Sequence, residues 1–208
     1  MISGYIIMNG IKRLYYNWRR RILSYVVRNR LDLSDVSIIS MNCIGGILYH
    51  DCNTQFLSPT INLFFTPSDF IKFVDNMDFY LSITPDVIMG DKYPIGTLQD
   101  IKIFFMHYST PEEALLKWEA RKKRINPEKI FVIMVERDGF CDKDYEGFMS
   151  IRYPKLLYTI KDRYICDDSL YFSKFSEESQ LPDLIPGRYM YYKMKLVNKI
   201  NQAFNSER

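Results

Sequence analysis

The sequence predicts an α/β fold: a three-layer arrangement with a mostly parallel sheet flanked by helices, and a basic amphipathic helix at the N-terminus. Three observations lead there. Short β-branched or aromatic runs alternate with helix-period segments across short gaps. Two helix starts are spelled out, Thr66-Pro67 and Thr110-Pro111, each with a capping hydroxyl before a proline suited to the first helical position. Positive charge is segregated: seven Lys or Arg and no acid lie between Met1 and Leu31, leaving 21 of the 28 basic groups against all 25 acidic ones.

The elements follow in order. Ile11, Leu14, Tyr15, Trp18, Ile22, Tyr25 and Val26 recur at three and four, so a helix is expected over Ile11 to Arg30. Its basic residues allow two roles: packing on the domain with a solvated charged face, or resting on anionic lipid. Val36 to Ser40 is a buried strand that ends in a polar tip, and Ile47 to Asp51 starts a helix or an irregular loop. Ile61 to Phe65 is expected as a second strand, and Ser68 to Leu81 as a helix with Phe70, Phe73, Val74, Met77 and Leu81 inward. Asp86 to Met89 is a short strand, Gly90 to Gly96 a loop, and Ile101 to His107 a strong strand. A helix then runs from Pro111 to about Arg124, acidic early and basic late, as the helix dipole favours. Lys129 to Val135 is a buried strand, Asp142 to Met149 a helix, Leu156 to Ile160 a weaker strand, and Tyr189 to Phe204 a closing helix after an irregular stretch from Asp167 to Ile185.

At 208 residues the expected organisation is a helix over residues 1–32 and a single α/β domain over 33–208. The four cysteines, Cys43, Cys52, Cys141 and Cys166, form no Cys-x-x-Cys. With His50 and His107 as the two histidines there is no zinc pattern, and no metal is expected. Wide cysteine spacing points to a reducing cytoplasmic compartment, with the N-terminal helix offering peripheral contact with the inner membrane. No apolar run is long enough for a bilayer span, and Met1 to Met8 is too short and polar for a signal-peptide core. Basic charge confined to one segment does not fit a phosphate-reading face, so nucleic acid is not an expected partner.

Ligands of open parallel sheets bind beyond the carboxyl ends of the strands. Three expected strand ends carry conspicuous polar groups: Ser40-Met41-Asn42-Cys43, His107-Tyr108 and Glu136-Arg137-Asp138. If the strands are parallel neighbours, these groups share one rim.

The order of pieces resembles a bacterial exopolysaccharide-biosynthesis family catalogued as a domain of unknown function. The matching residues are Ile39-Ser40, Asn42-Cys43, Gly45-Gly46, Tyr49, Ser58-Pro59-Thr60, Asp69-Phe70, Tyr93-Pro94, Gly96, His107-Tyr108, Ala114, Trp118, Arg121, Arg124, Asn126 and Arg137-Asp138. Met41 and Ile44 depart from the Asn and Trp that members tend to carry there. The resemblance implies an α/β fold and a role in making surface polysaccharide. The Asn-Cys tip is also loosely similar to capsule acetyltransferase-like proteins related to the Ser-Gly-Asn-His hydrolases.

Acyl transfer to a glycan precursor is the leading expectation, with an acyl-CoA donor. Cys43 is the candidate nucleophile, His107 the base and Asp138 its orienting carboxylate, while Asn42 and the Gly45 and Gly46 amides would hold an oxyanion. Arg121 and Arg124, three apart on a helix, with Arg137, would bind a diphosphate or acidic sugar, and Trp118 would stack on a ring. Ser58 and Thr60 add hydroxyls. Each has a structural alternative: a buried thiol beside a tight turn, a backbone-bonded histidine, an Arg137–Asp138 ion pair, a solvated basic helix end, a core tryptophan, and turn-capping hydroxyls. Two other functions remain open. One is a glycosyltransferase or sugar-phosphate enzyme acting on a sugar-nucleotide or lipid-linked sugar. The other is a non-catalytic glycan-binding or assembly protein.

Overall fold

A computed structural model of the chain describes residues 2–204; Met1 and 205–208, the outer ends of the expected domains, lie outside the described residues. The elements run α1 (Ile2–Arg28), β1 (Ser37–Ser40), α2 (Ile44–Cys52), α3 (Pro67–Asp75), α4 (Met77–Ser82), β2 (Asp86–Met89), β3 (Pro94–Leu98) and β4 (Ile101–Phe104). They continue α5 (Pro111–Lys122), β5 (Ile130–Val135), α6 (Asp142–Ser150), β6 (Lys155–Thr159), β7 (Ser169–Tyr171) and α7 (Lys195–Phe204).

Among the described residues the fold is α/β, with two sheets. A four-stranded sheet in the order β1-β5-β6-β7 is parallel throughout and flanked by helices. Every residue of β1, β5 and β6 is buried, as both-face coverage of a parallel sheet requires. The strands follow chain order without reversal, so this sheet has no switch point of the doubly wound kind. A second, three-stranded antiparallel sheet, β2-β3-β4, packs against α5 and α3.

The outer border of β1 is finished by side chains. The N–H groups of Ser37 and Met41 donate to the carbonyls of Lys129 and Ile133, at 2.8 and 3.0 Å. Those of the alternate residues, Ile38 and Ser40, point away from β5. Tyr49 Oη accepts from Ile38 N–H (2.9 Å) and donates to the Val36 carbonyl (2.7 Å), while Thr60 Oγ1 accepts from Ser40 N–H (3.0 Å). Burial pushes the Tyr49 phenol well above its usual value, so it stays a donor.

Several expectations are corrected. Ile61–Phe65 is not a strand; only Phe64 forms an isolated bridge, to Phe104. Its period-two pattern is real, with Ile61, Leu63 and Phe65 buried and Asn62 and Phe64 half-buried, but it serves a connector. Phe65 N–H donates to the Met41 carbonyl and Phe64 N–H to that of Phe104, so the segment stitches the end of β1 to the second sheet. Ile101–His107 ends as a strand at Phe104 and belongs to the antiparallel sheet, not the parallel one. Pro94 to Gly96, expected as the end of a loop, belongs to β3; Gly96 is needed there because a Cβ would stand 2.9 Å from the Phe105 ring. The expected 68–81 helix is split at Asn76, whose φ of −131° is not helical. The stretch read as irregular contains β7, and the closing helix begins as a 3-10 segment over Tyr189–Met194, kinked at Tyr192 and Lys193. The two capped starts are as expected: Thr66 accepts from Asp69 N–H and Thr110 from Glu113 N–H.

Helix α1 packs by an unexpected face. Val27 is buried, Leu23 lies on the core, the Tyr16 ring meets Tyr189 edge-on, and Arg19 Nε donates to the Gly187 carbonyl (2.6 Å). Ile11, Leu14, Tyr15, Trp18, Ile22 and Tyr25 are left exposed. No helix among the described residues is long and apolar enough to cross a membrane.

The helix is anchored by Asp51, a fully buried carboxylate near the end of α2. It accepts from Arg188 Nε (2.6 Å) and Nη2 (3.1 Å), from Tyr191 Oη (2.8 Å) and from Ser24 Oγ of α1 (2.8 Å). Removing one partner of a buried pair strands the other charge. Asp51→Ala therefore lowers stability by about 3–5 kcal/mol in urea unfolding.

Candidate functional site

The polar ends of β1 and β5 meet the turn after β4 in one cavity of about 590 Å³. Its wall holds Asn42 and Cys43, Ile47, Asn62 and Phe64, Met106 and His107, Arg137 and Asp138, and Asp183 with Ile185. The expected convergence of Asn42-Cys43, His107 and Arg137-Asp138 is thus present, by a different route. His107 arrives from the antiparallel sheet, across the seam closed by the 61–65 connector.

Each element sets its side chain for a local reason. Asn42 Oδ1 accepts from Ile44 N–H (3.1 Å), an Asx turn that starts α2 and leaves the Asn42 NH₂ for the cavity. Cys43 sits at the N-cap of α2 without a side-chain capping bond. His107 occupies an exposed turn held by the buried Phe105 and Tyr108 on either side, whose ring edges meet at 5.6 Å between centroids. It makes no hydrogen bond among the described residues and leaves both ring nitrogens open to a ligand. After β5 the chain reverses through two left-handed residues, Asp138 (φ 58°) and Gly139 (φ 91°). Asp138 N–H donates to Gln180 Oε1 (2.9 Å), and its carboxylate pairs with Arg137 Nε at 3.4 Å. That ion pair, not a bond to His107, is what Asp138 makes, so its expected orienting role is not seen.

The thiol is poorly suited to nucleophilic attack. Burial, and next the Asp183 carboxylate, push Cys43 up from the usual value near 9 to about 11. Reactive cysteines are found beside positive charge, which keeps the thiolate populated; Cys43 faces the opposite sign.

The other expected site residues serve the fold. Gly45 and Gly46 are buried in the first turn of α2 and do not line the cavity. A Cβ on Gly45 would lie 2.9 Å from Ser40 Cβ and 3.2 Å from Ile38 Cγ2, so the glycine lets helix and strand approach. Ser58 and Thr60 are fully buried: Ser58 Oγ accepts from Thr60 N–H (3.1 Å) and lies 3.0 Å from the Thr60 hydroxyl that finishes β1. Trp118 packs among Phe73 and Phe105 in the core. Arg121 is buried over the Phe56 ring and donates to Tyr108 Oη and to the Ile61 carbonyl, holding the connector. Arg124 lies beyond α5 in solvent, so the two arginines share no anion.

Asn62, Phe64 and Asp183 were not anticipated. For the first two the signal was the alternation within 61–65, which turns both toward the cavity. Asp183 carried an Asx-turn signal only, its Oδ1 accepting from Ile185 N–H (2.9 Å).

Two outcomes follow. Peptide mapping after brief iodoacetamide treatment shows Cys43 alkylation rising with a midpoint near pH 11 instead of 9. Because the thiol ionises first in the unfolded chain, the same shift makes stability decline as pH climbs from about 9 toward 11. Gly45→Ala lowers stability by about 1–3 kcal/mol through overpacking, read in urea unfolding, with the cavity groups unchanged.

A family model described as "Domain of unknown function (DUF1919)" matches residues 14–203. An uncharacterized protein of Haemophilus influenzae is 30% identical over 200 residues, covering 93% of this chain and 97% of that relative. The matched span holds every cavity residue and runs from within α1 to within α7. The chain therefore belongs to the DUF1919 family.

Proposed function

We propose that the cavity is the site of an acyltransferase that modifies a glycan precursor of a surface polysaccharide by direct transfer, with His107 as the base. One observation carries this: an unencumbered imidazole, a guanidinium and a ring of amide and carboxylate groups line one partly apolar cavity. The mixture suits a sugar. Asn42, Asn62 and Asp183 offer partners for hydroxyls, and Phe64 offers a flat apolar face for a pyranose ring. Arg137 offers charge for the phosphates of an acyl-CoA donor. The polysaccharide context comes from the resemblance carried by the pieces between Ser37 and Asp138.

In this mechanism His107 removes the proton of a sugar hydroxyl as its oxygen attacks the thioester carbonyl. The C–O bond forms, the C–S bond breaks, and the departing thiolate takes the proton back from His107. Cys43 forms no covalent intermediate; its protonated thiol is part of the wall.

Labelled acetyl-CoA incubated with crude glycan tests the scheme. Transfer persists in Cys43→Ala and falls by about 10²–10⁴-fold in His107→Ala. Transfer that survives the loss of His107, or that disappears with Cys43 alone, overturns it. The two carboxylates in the same cavity, Asp138 and Asp183, favour a second reading as a glycosyltransferase with a carboxylate base. Turnover of a nucleotide sugar that is lost in Asp183→Asn, with no acyl transfer, selects that reading.

A further inference from the structure

We infer that α1 is a docking surface for an anionic membrane, lying in the lipid interface with its apolar stripe inserted. In a chain whose other helices bury their apolar faces, Ile11 (62% exposed), Leu14 (69%), Trp18 (61%) and Tyr25 (71%) stand in solvent, with Tyr15 and Ile22 between them. At 100° per residue these six fall within one narrow sector of the helix. The opposite sector, through Tyr16, Arg19, Leu23 and Val27, is the one that holds the body. The stripe therefore points outward along the helix instead of being a misplaced core.

Charge decides what covers it. Lys12 borders one edge of the stripe and Arg21 and Arg28 the other, and no acid occurs from Met1 to Leu31. A second copy apposed on this face would bring arginine against arginine with no carboxylate to answer, which opposes self-association. An anionic lipid surface supplies the missing sign along both edges, and tryptophan and tyrosine suit the headgroup boundary. Independently, Arg20, Arg21 and Arg28 line a cleft of about 270 Å³ between α1 and α2, together with Ser24, Tyr25, His50 and Asp51. The Asp51 carboxylate is already taken by Arg188, Tyr191 and Ser24. Tyr25 belongs to both cleft and stripe, so a phosphate held by the guanidiniums continues into acyl chains lying against the stripe.

Trp18 supplies the measurement. The other tryptophan, Trp118, is buried in the core, so a change in tryptophan emission reports α1. The full chain is mixed with vesicles of phosphatidylcholine alone or with phosphatidylglycerol added, at low and high salt. Expected are co-sedimentation and a blue shift with the anionic vesicles, at least about tenfold weaker without phosphatidylglycerol, and weakened by salt. Ile22→Asp abolishes insertion, and Arg20→Glu with Arg21→Glu abolishes the preference for anionic lipid. All three positions are exposed, and circular dichroism checks that the fold is kept. Absence of binding by the unaltered chain, or equal binding to both vesicle types, overturns the inference. So does a blue shift that grows with protein concentration in the absence of lipid and is removed by Ile22→Asp, since a second copy would then cover the stripe.

Discussion

A single buried carboxylate, Asp51, sets the layout. Placing an ion there is costly unless its acceptor sites are filled. Here they are filled by groups from two distant parts of the chain: Ser24 of α1, and Arg188 and Tyr191 of the C-terminal segment. Arg188 carries the order onward, because its Nη1 also donates to the Ile185 carbonyl (3.0 Å), in the strip that forms one wall of the cavity. The same carboxylate thus ties α1, through Arg188, to the strip that carries Asp183.

The cavity exists because two sheets of different kind meet without merging. The parallel sheet ends at Asn42 and at Arg137, the antiparallel one at the turn holding His107, and the 61–65 connector spans the gap. That connector has few partners of its own, so the buried cation Arg121 and the Tyr108 hydroxyl both serve the Ile61 carbonyl (3.3 and 2.8 Å). Rigidity on this side comes from residues that never face the ligand space. Around the opening the groups have mixed sign, and burial, with the Asp183 carboxylate second, keeps Cys43 protonated.

What the sequence reveals follows from how local each cause is. Caps before proline, all-buried strands and the polar tips after them are nearest-neighbour patterns, and they locate α3, α5, β1, β5 and, of the cavity wall, Asn42, Cys43, Arg137 and Asp138. Long-range choices are not local. The alternation in 61–65 describes which side is wet but not whether a partner strand exists, and only one bridge forms. Arg121 and Arg124 look alike at three-residue spacing until packing buries one and the end of α5 releases the other. A Gly-Gly pair reads equally as a ligand loop or as a close helix contact, and Ser40 and Ile38 beneath Gly45 decide it. Asp51 gave no sign at all, since its partners lie up to 140 positions away. The α1 stripe was visible as periodicity, but its outward direction depends on Leu23 and Val27 taking the core instead.

The hydroxyls of Tyr49 and Thr60 have an effect beyond holding β1. An unfinished sheet border is a template on which another extended chain can register, through every second amide. Along β1 those amides are already spoken for, by side chains that lie where a fifth strand would begin. Polymerisation by strand addition has no foothold on that flank, so crowded copies of this molecule stay apart there without charged gatekeepers on the strand itself.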